Sequence, residues 1–272
     1  MDDTYKESRF LSLLFYQAVR DHKPVWMLED MRNREIFHWE EDTRHQTYTP
    51  SEALLYAIVH DHRAYAQYLL NQFSDGALAM PGDSFCCCPS SAPHLTMAVH
   101  YDRKDIMALI LQVAHTMPTL RSYMNRGGCK HLENGKTPLH LACELSHAAA
   151  IVMLLGHGAS PQAEDHDGMT PLDLVLKQLW TTKVNTGARM LCLESLLMFM
   201  PELRFNMKSS LEKDPQRWSK VLGEEMFNYL ITKIPGTIFL MAMQKVLSQL
   251  PPKEFPKSLD KLPIPTFLKP IT

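Results

Sequence analysis

The stretch Asn134-Gly-Lys-Thr-Pro-Leu-His-Leu-Ala-Cys143 decides the fold. Asn134-Gly135 is a tight-turn pair, because both residue types tolerate positive φ. Thr137 is placed to cap a helix, and Pro138 takes the first helical position, where a missing N–H costs nothing. A second short helix fits Ala148 to Leu155, and Gly158 offers a left-handed stop after it. A shift of 33 residues brings the order back: Asp167-Gly168 repeats the turn, Thr170-Pro171 the cap, and Leu172 repeats Leu139.

Turn, cap, helix, helix at a period of 33 resembles the ankyrin repeat. Looser copies precede it. Ala142 is followed 12 and 13 positions later by Leu154 and Leu155; the same frame fits Ala57 with Leu69 and Leu70, and Ala98 with Ile110 and Leu111. Three residues before each small anchor stand Leu139, Leu54 and Leu95, one turn away on the same face. Thr49-Pro50-Ser51-Glu52 is a capping-box pattern opening the first of these helices. A fainter copy fits from Phe15 and Ala18 to Met31. The small anchor lets paired helices pack closely, and the aliphatic pair fills the layer between neighbours. Unrelated helical hairpins in a bundle are the competing reading. The anchor spacings of 41, 44 and 33 residues place inserted loops at 73–93 and 116–133. A further insertion is expected at 180–189, before an apolar helix over 190–200. Insertions in stacked repeats fall on exposed edges and often bind partners.

The expected architecture is therefore an all-α ankyrin-repeat solenoid of four or five repeats, the early ones degenerate. It comprises an N-terminal helical segment at 1–48, in which a degenerate repeat fits, repeats over 49–200, and a helical region at 201–272. The 272 residues suffice for one or two domains. Twenty-eight basic against 30 acidic residues leave no broad cationic field, which argues against nucleic acid as a main partner. No apolar run reaches the ~18 residues of a membrane helix. The acidic start Met1-Asp2-Asp3 is unlike a signal peptide, so a cytoplasmic protein with no membrane partner is expected.

Catalytic patterns are weak. Gly135-Lys136-Thr137 imitates the end of a phosphate-binding loop, but the required first glycine falls on Lys130. No nucleophile elbow, His-Glu-x-x-His pair or doubled Cys-x-x-Cys set is present, so a non-enzyme without cofactor or metal is expected. His140 occupies the repeat's histidine position, where local hydrogen bonding accounts for it. Cys86-Cys87-Cys88 lies in the first insertion, followed by Pro89 and Pro93, with His94 nearby. Such a run either tucks one or two thiols against the repeats as small hydrophobes, or forms a client-contact or redox-sensitive loop. The turn-tip residues Lys136 and Met169 are candidate client contacts.

Beyond Pro201 the composition changes. Helices fit Arg217 to Leu230 and Ile238 to Leu250, and six of the 18 prolines fall in the last 22 residues. Leu262-Pro-Ile-Pro-Thr-Phe-Leu268 cannot be a long helix or a central strand. It is expected either as a stiff extended peptide carrying Leu262, Ile264, Phe267 and Leu268 outward, or as a tail packed back on its own domain.

Leu262-Pro263-Ile264-Pro265 resembles the element that recruits cullin 5 in suppressor-of-cytokine-signalling (SOCS) boxes. Thr237-Ile238-Phe-Leu-Met-Ala242-Met-Gln-Lys-Val246 resembles the box that binds Elongin C, with Ala242 where that family usually has cysteine. On a helix, Ile238, Ala242 and Val246 form one stripe, as insertion into a groove demands. Phe15–Asp21, Ser51–Ala57 and Leu154–Pro161 extend the resemblance to ankyrin-repeat, SOCS-box substrate receptors along the chain. The resemblance implies a receptor subunit of a cullin–RING ubiquitin ligase, partnered by Elongin B/C and by cullin 5 or cullin 2. It suggests inosine monophosphate dehydrogenase as the client, and tilts Cys87 and Cys88 towards client contact.

Overall fold

A computed structural model describes residues 14–34, 47–82, 91–116, 118, 120–128, 134–182, 184–265 and 269. All the regular structure among them is helical. The chain divides into two compact units, Met1–Pro89 with Pro93–Leu120, and Ser90–Ala92 with Arg121–Thr272, so the division falls within the second inserted segment.

In the first unit, α1 (14–20) pairs with α2 (Val25–Arg34), α3 (Pro50–Val59) with α4 (Arg63–Ala77), and α5 (Pro93–His100) with α6 (Lys104–Ala114). The same turn joins every pair. His22, Asp61 and Asp102 each take a left-handed φ of 52–56°. The following amide donates back to the small anchor: Lys23 to Ala18, His62 to Ala57 and Arg103 to Ala98, at 2.8–3.0 Å. This six-to-one closure satisfies carbonyls that a helix end would otherwise leave bare. The faint copy at Phe15 and Ala18 is thus a repeat in its backbone, with Phe15, Val19 and Leu28 wholly buried. Thr49 and Glu52 make the expected capping box of α3, and the anchors Ala57 and Ala98 are at most 1% exposed.

His94, on α5, is wholly buried and donates through Nε2 to the Ser51 carbonyl at 3.0 Å. Burial pushes its pKa down to about 4, so the ring is neutral. His94 is therefore committed to packing. Ser74, with φ of 33°, breaks α4 where the first insertion begins.

The second unit carries α7 (Leu120–Met124), then the pairs α8 (Pro138–Glu144) with α9 (Ala148–Gly156) and α10 (Pro171–Thr181) with α11 (Thr186–Leu197). Ser146 and Ala142 repeat the turn already described. Gly158 closes α9 with φ of 95°, as its sequence position predicts. The insertion expected at 180–189 takes another form: α10 is four residues longer than α8 and absorbs the extra length as one more turn.

The C-terminal region comprises α12 (Lys208–Lys213), α13 (Pro215–Leu222), α14 (Glu224–Leu230), α15 (Ile238–Leu247), a 3₁₀ turn (Pro252–Glu254) and α16 (Lys257–Asp260). The single helix expected over 217–230 is two, because Gly223 at φ of 83° interrupts it. This region packs on the last repeats through polar and aromatic ties. Asp173 is wholly buried; it accepts the amides of Asn206 (2.9 Å) and Met207 (2.8 Å) as well as the Thr170 amide and hydroxyl. Trp218 stacks on Trp180 with ring centroids 4.7 Å apart, and the Arg217 guanidinium lies 3.6 Å over Trp180.

Candidate functional site

α15 forms because its residues are mostly good helix formers and Thr237 caps it, the hydroxyl accepting the Leu240 amide at 3.1 Å. One face is anchored. Leu240, Met243 and Leu247 are buried, and Gln244 Nε2 donates to the carbonyls of Leu197 (2.8 Å) and Met200 (3.1 Å) at the end of α11. The other face is open. Ile238 is 84% exposed, Ala242 is exposed and Val246 is half-buried, with Phe239 and Met241 also exposed beside them. The sequence-derived stripe is therefore an apolar ridge facing solvent, of the kind that marks an interaction surface.

The segment after α15 differs from one of its two expectations. Phe255 is seated against Gly156 of α9, close enough that a Cβ there would clash with its ring, and it meets His157 edge-on at 5.7 Å. Val152, Met243, Leu247, Phe255 and Leu259 make a small core, and Leu262 and Ile264 pack half-buried against it. These two side chains turn inward rather than outward, because neighbouring apolar surface is there to cover them. Pro263 and Pro265 remain exposed. Phe267 and Leu268 lie outside the described residues.

The candidate client contacts are tied down more than turn tips would be. Lys136 Nζ pairs with Glu144 Oε1 at 2.5 Å and is one-quarter exposed. Met169 is half-buried, and its carbonyl accepts from His140 Nε2 at 3.0 Å. The amide of Thr137 donates to His140 Nδ1, so the neutral ring links one repeat start to the next. Burial holds its pKa below the ordinary imidazole value. The 33-residue period thus places Lys136 and Met169 at equivalent points, with His140 bridging their loops. Cys86, Cys87 and Cys88 lie outside the described residues. Cys143 and Cys192 are buried, and burial pushes Cys143 well above the usual thiol range and Cys192 up to about 11. Both are protonated and inert at neutral pH. Among the described residues no group of three or more His, Cys, Asp and Glu could hold a metal ion, and no helix is long and apolar enough to cross a membrane.

Sequence reasoning missed two kinds of residue. Asp173 and Gln244 fasten the C-terminal region, yet each reads in isolation as a surface polar residue. A cleft of about 470 Å³ between α11, α14 and the first turn of α15 is lined in part by Glu194, Glu224, Glu225 and Phe239. Only the adjacent pair Glu224-Glu225 hinted at it.

The ankyrin-repeat family model matches residues 134–166. Mouse ankyrin repeat domain-containing protein 9 is 40% identical over 98% of this chain and 90% of its own length. The BTB/POZ domain and ankyrin repeat-containing protein NBCL of Lotus japonicus is 45% identical over 42 residues, 15% of this chain and 9% of its own length. The putative ankyrin repeat protein FPV223 of fowlpox virus is 27% identical over 46% of this chain and 74% of its own length. Ankyrin repeats are protein–protein interaction modules, and the helical pairs, the shared turn and the near end-to-end match agree. The chain belongs to the ankyrin-repeat proteins, in the family of ankyrin repeat domain-containing protein 9.

Proposed function

We propose that this protein is a cytoplasmic, non-catalytic substrate receptor of a cullin–RING ubiquitin ligase. The repeats hold a protein client, and α15 presents Ile238, Ala242 and Val246 to Elongin C of an Elongin B/C pair. The Leu262–Pro265 segment contacts cullin 5 or cullin 2. Tethering then raises the effective concentration of client lysines at a charged ubiquitin-conjugating enzyme and promotes degradation of the client, with no reacting group from this chain. Inosine monophosphate dehydrogenase is the client suggested by resemblance, and Lys136, Met169, Cys87 and Cys88 are its proposed contacts. The observation that carries the reading is Ile238, left 84% exposed on a capped helix whose opposite face is fixed. Ile238 is not isolated: exposed Phe239, Met241 and Ala242 stand beside it, and a contiguous apolar patch is what marks an interaction surface.

The inward packing of Leu262 and Ile264 supports a second reading, an ankyrin scaffold whose tail completes its own core. On the receptor reading, a cullin takes the exposed Pro263 and Pro265, or lifts the segment. Co-expression with Elongins B and C separates the two. Stable co-elution of all three chains on size exclusion supports the receptor. Elution of this protein alone, still folded, leaves the scaffold.

A further inference from the structure

We infer that the cleft between α11, α14 and the start of α15 docks a basic segment with an apolar face from a partner protein. Its volume, about 470 Å³, lies within the range of about 300–1,000 Å³ usual for ligand sites. The floor is Leu197, Leu222 and Leu240, all buried, flanked by half-buried Met190, Met198 and Met226. Methionine is unbranched and polarisable, so such a floor repacks around apolar anchors of differing shape. The rim has the opposite character. Glu194, Glu224 and Glu225 are exposed, and no lining residue is basic. Their carboxylates make no ion pair or side-chain hydrogen bond within the described residues. The neighbouring cation on α11, Arg189, is turned to the carbonyls of Gln178 and Thr182 instead. Glu224 and Glu225 stand in the first turn of α14, where its N-terminus favours them; with Glu194 they leave the rim acidic, and a ligand carrying lysine or arginine beside leucine-like anchors complements that charge while filling the floor. An amphipathic helix with a cationic flank has that combination, with anchors at i, i+3 and i+4.

The cleft adjoins the Ile238 ridge: Thr237 and Phe239, within the box that resembles the Elongin C element, also line it, whereas Ile238, Ala242 and Val246 do not. The inference is made for the free chain and does not rest on Elongin C binding.

The test is fluorescence anisotropy on the full chain. The probe is a labelled peptide of about 14 residues with leucines at helical i, i+3, i+4, i+7 spacing and lysines elsewhere; the control carries glutamate for every lysine. Saturable micromolar-range binding of the lysine peptide alone is expected. Affinity should fall at least about tenfold in the combined Glu194→Gln, Glu224→Gln, Glu225→Gln protein and between low and high salt. Those variants keep side-chain shape at exposed positions, and an unchanged melting temperature checks that the fold survives. Ile238→Glu should leave peptide binding within about twofold. Equal binding of the glutamate peptide, or undiminished affinity in the triple variant, overturns the inference; loss of peptide binding in Ile238→Glu overturns the separateness of the site.

Discussion

Replacing Ile238 by glutamate should separate binding from folding. Burying a whole isoleucine side chain contributes about 1.5–3 kcal/mol, and 84% of this one is still exposed in the free chain, so most of that gain is left for a partner. A carboxylate in the same groove loses the gain and adds a desolvation cost of several kcal/mol. Together the loss is at least about 3 kcal/mol, or more than about a hundredfold in affinity. The fold itself should hardly respond, because substitutions at exposed sites stay within about 0.5 kcal/mol. For a chain of this size that is a melting shift below about 2 °C. Calorimetric titration of purified Elongin B/C, paired with thermal unfolding of both proteins, measures both quantities. Met243→Ala supplies the mirror image: its side chain is 5% exposed, so it should lower the melting temperature. Binding within threefold of the native value in folded Ile238→Glu protein would refute the argument.

Other outcomes follow from particular contacts. His94 has a folded-state pKa of about 4 against an ordinary 6.5, so the unfolded chain binds the extra proton between those values. Its contribution is complete above about pH 6.5 and falls by about 3 kcal/mol as the pH drops to about 4; urea unfolding at several pH values should show this acid-side slope, and an equal slope in His94→Gln would contradict it. Gly156→Ala would ordinarily favour a helix, but here the new Cβ meets the Phe255 ring, so a loss of about 1–3 kcal/mol is expected. Thermal unfolding should show Phe255→Leu recovering part of that loss in the double variant, and no coupling between the two would remove the seat from the account. A variant keeping only Cys143 and Cys192 should react with a thiol reagent at neutral pH only after urea is added, and prompt labelling of the native protein would count against their burial.

Much of the repeat architecture was legible because ankyrin signals are local. Thr137-Pro138 and Thr170-Pro171 announce helix starts, and the small anchors Ala57, Ala98 and Ala142 mark close packing. Even the faint copy at Phe15 was readable, since its turn needs only Ala18 and a residue that tolerates positive φ. The errors arose where tertiary contact outweighed local pattern. Nothing near Thr182 shows that α10 gains a turn instead of a loop. The inward placement of Leu262 and Ile264 depends on Phe255 finding Gly156, about 100 residues earlier in the chain. The Ile238 ridge was visible as helical spacing, but the cleft beside it joins Glu194 to Glu224 across two helices, and the adjacent Glu224-Glu225 pair is its one trace in the sequence.

The exchange of histidine for aspartate between positions 140 and 173 has a consequence for how this chain could lengthen. His140 donates a hydrogen bond to the next unit's loop, whereas Asp173, one period on, accepts hydrogen bonds from the amides of Asn206 and Met207. The polarity of the junction is inverted there, so a further copy arriving with a carbonyl would face a carboxylate. Asp173 is therefore the point at which the tie from one repeat start to the next gives way to a tie into the C-terminal region.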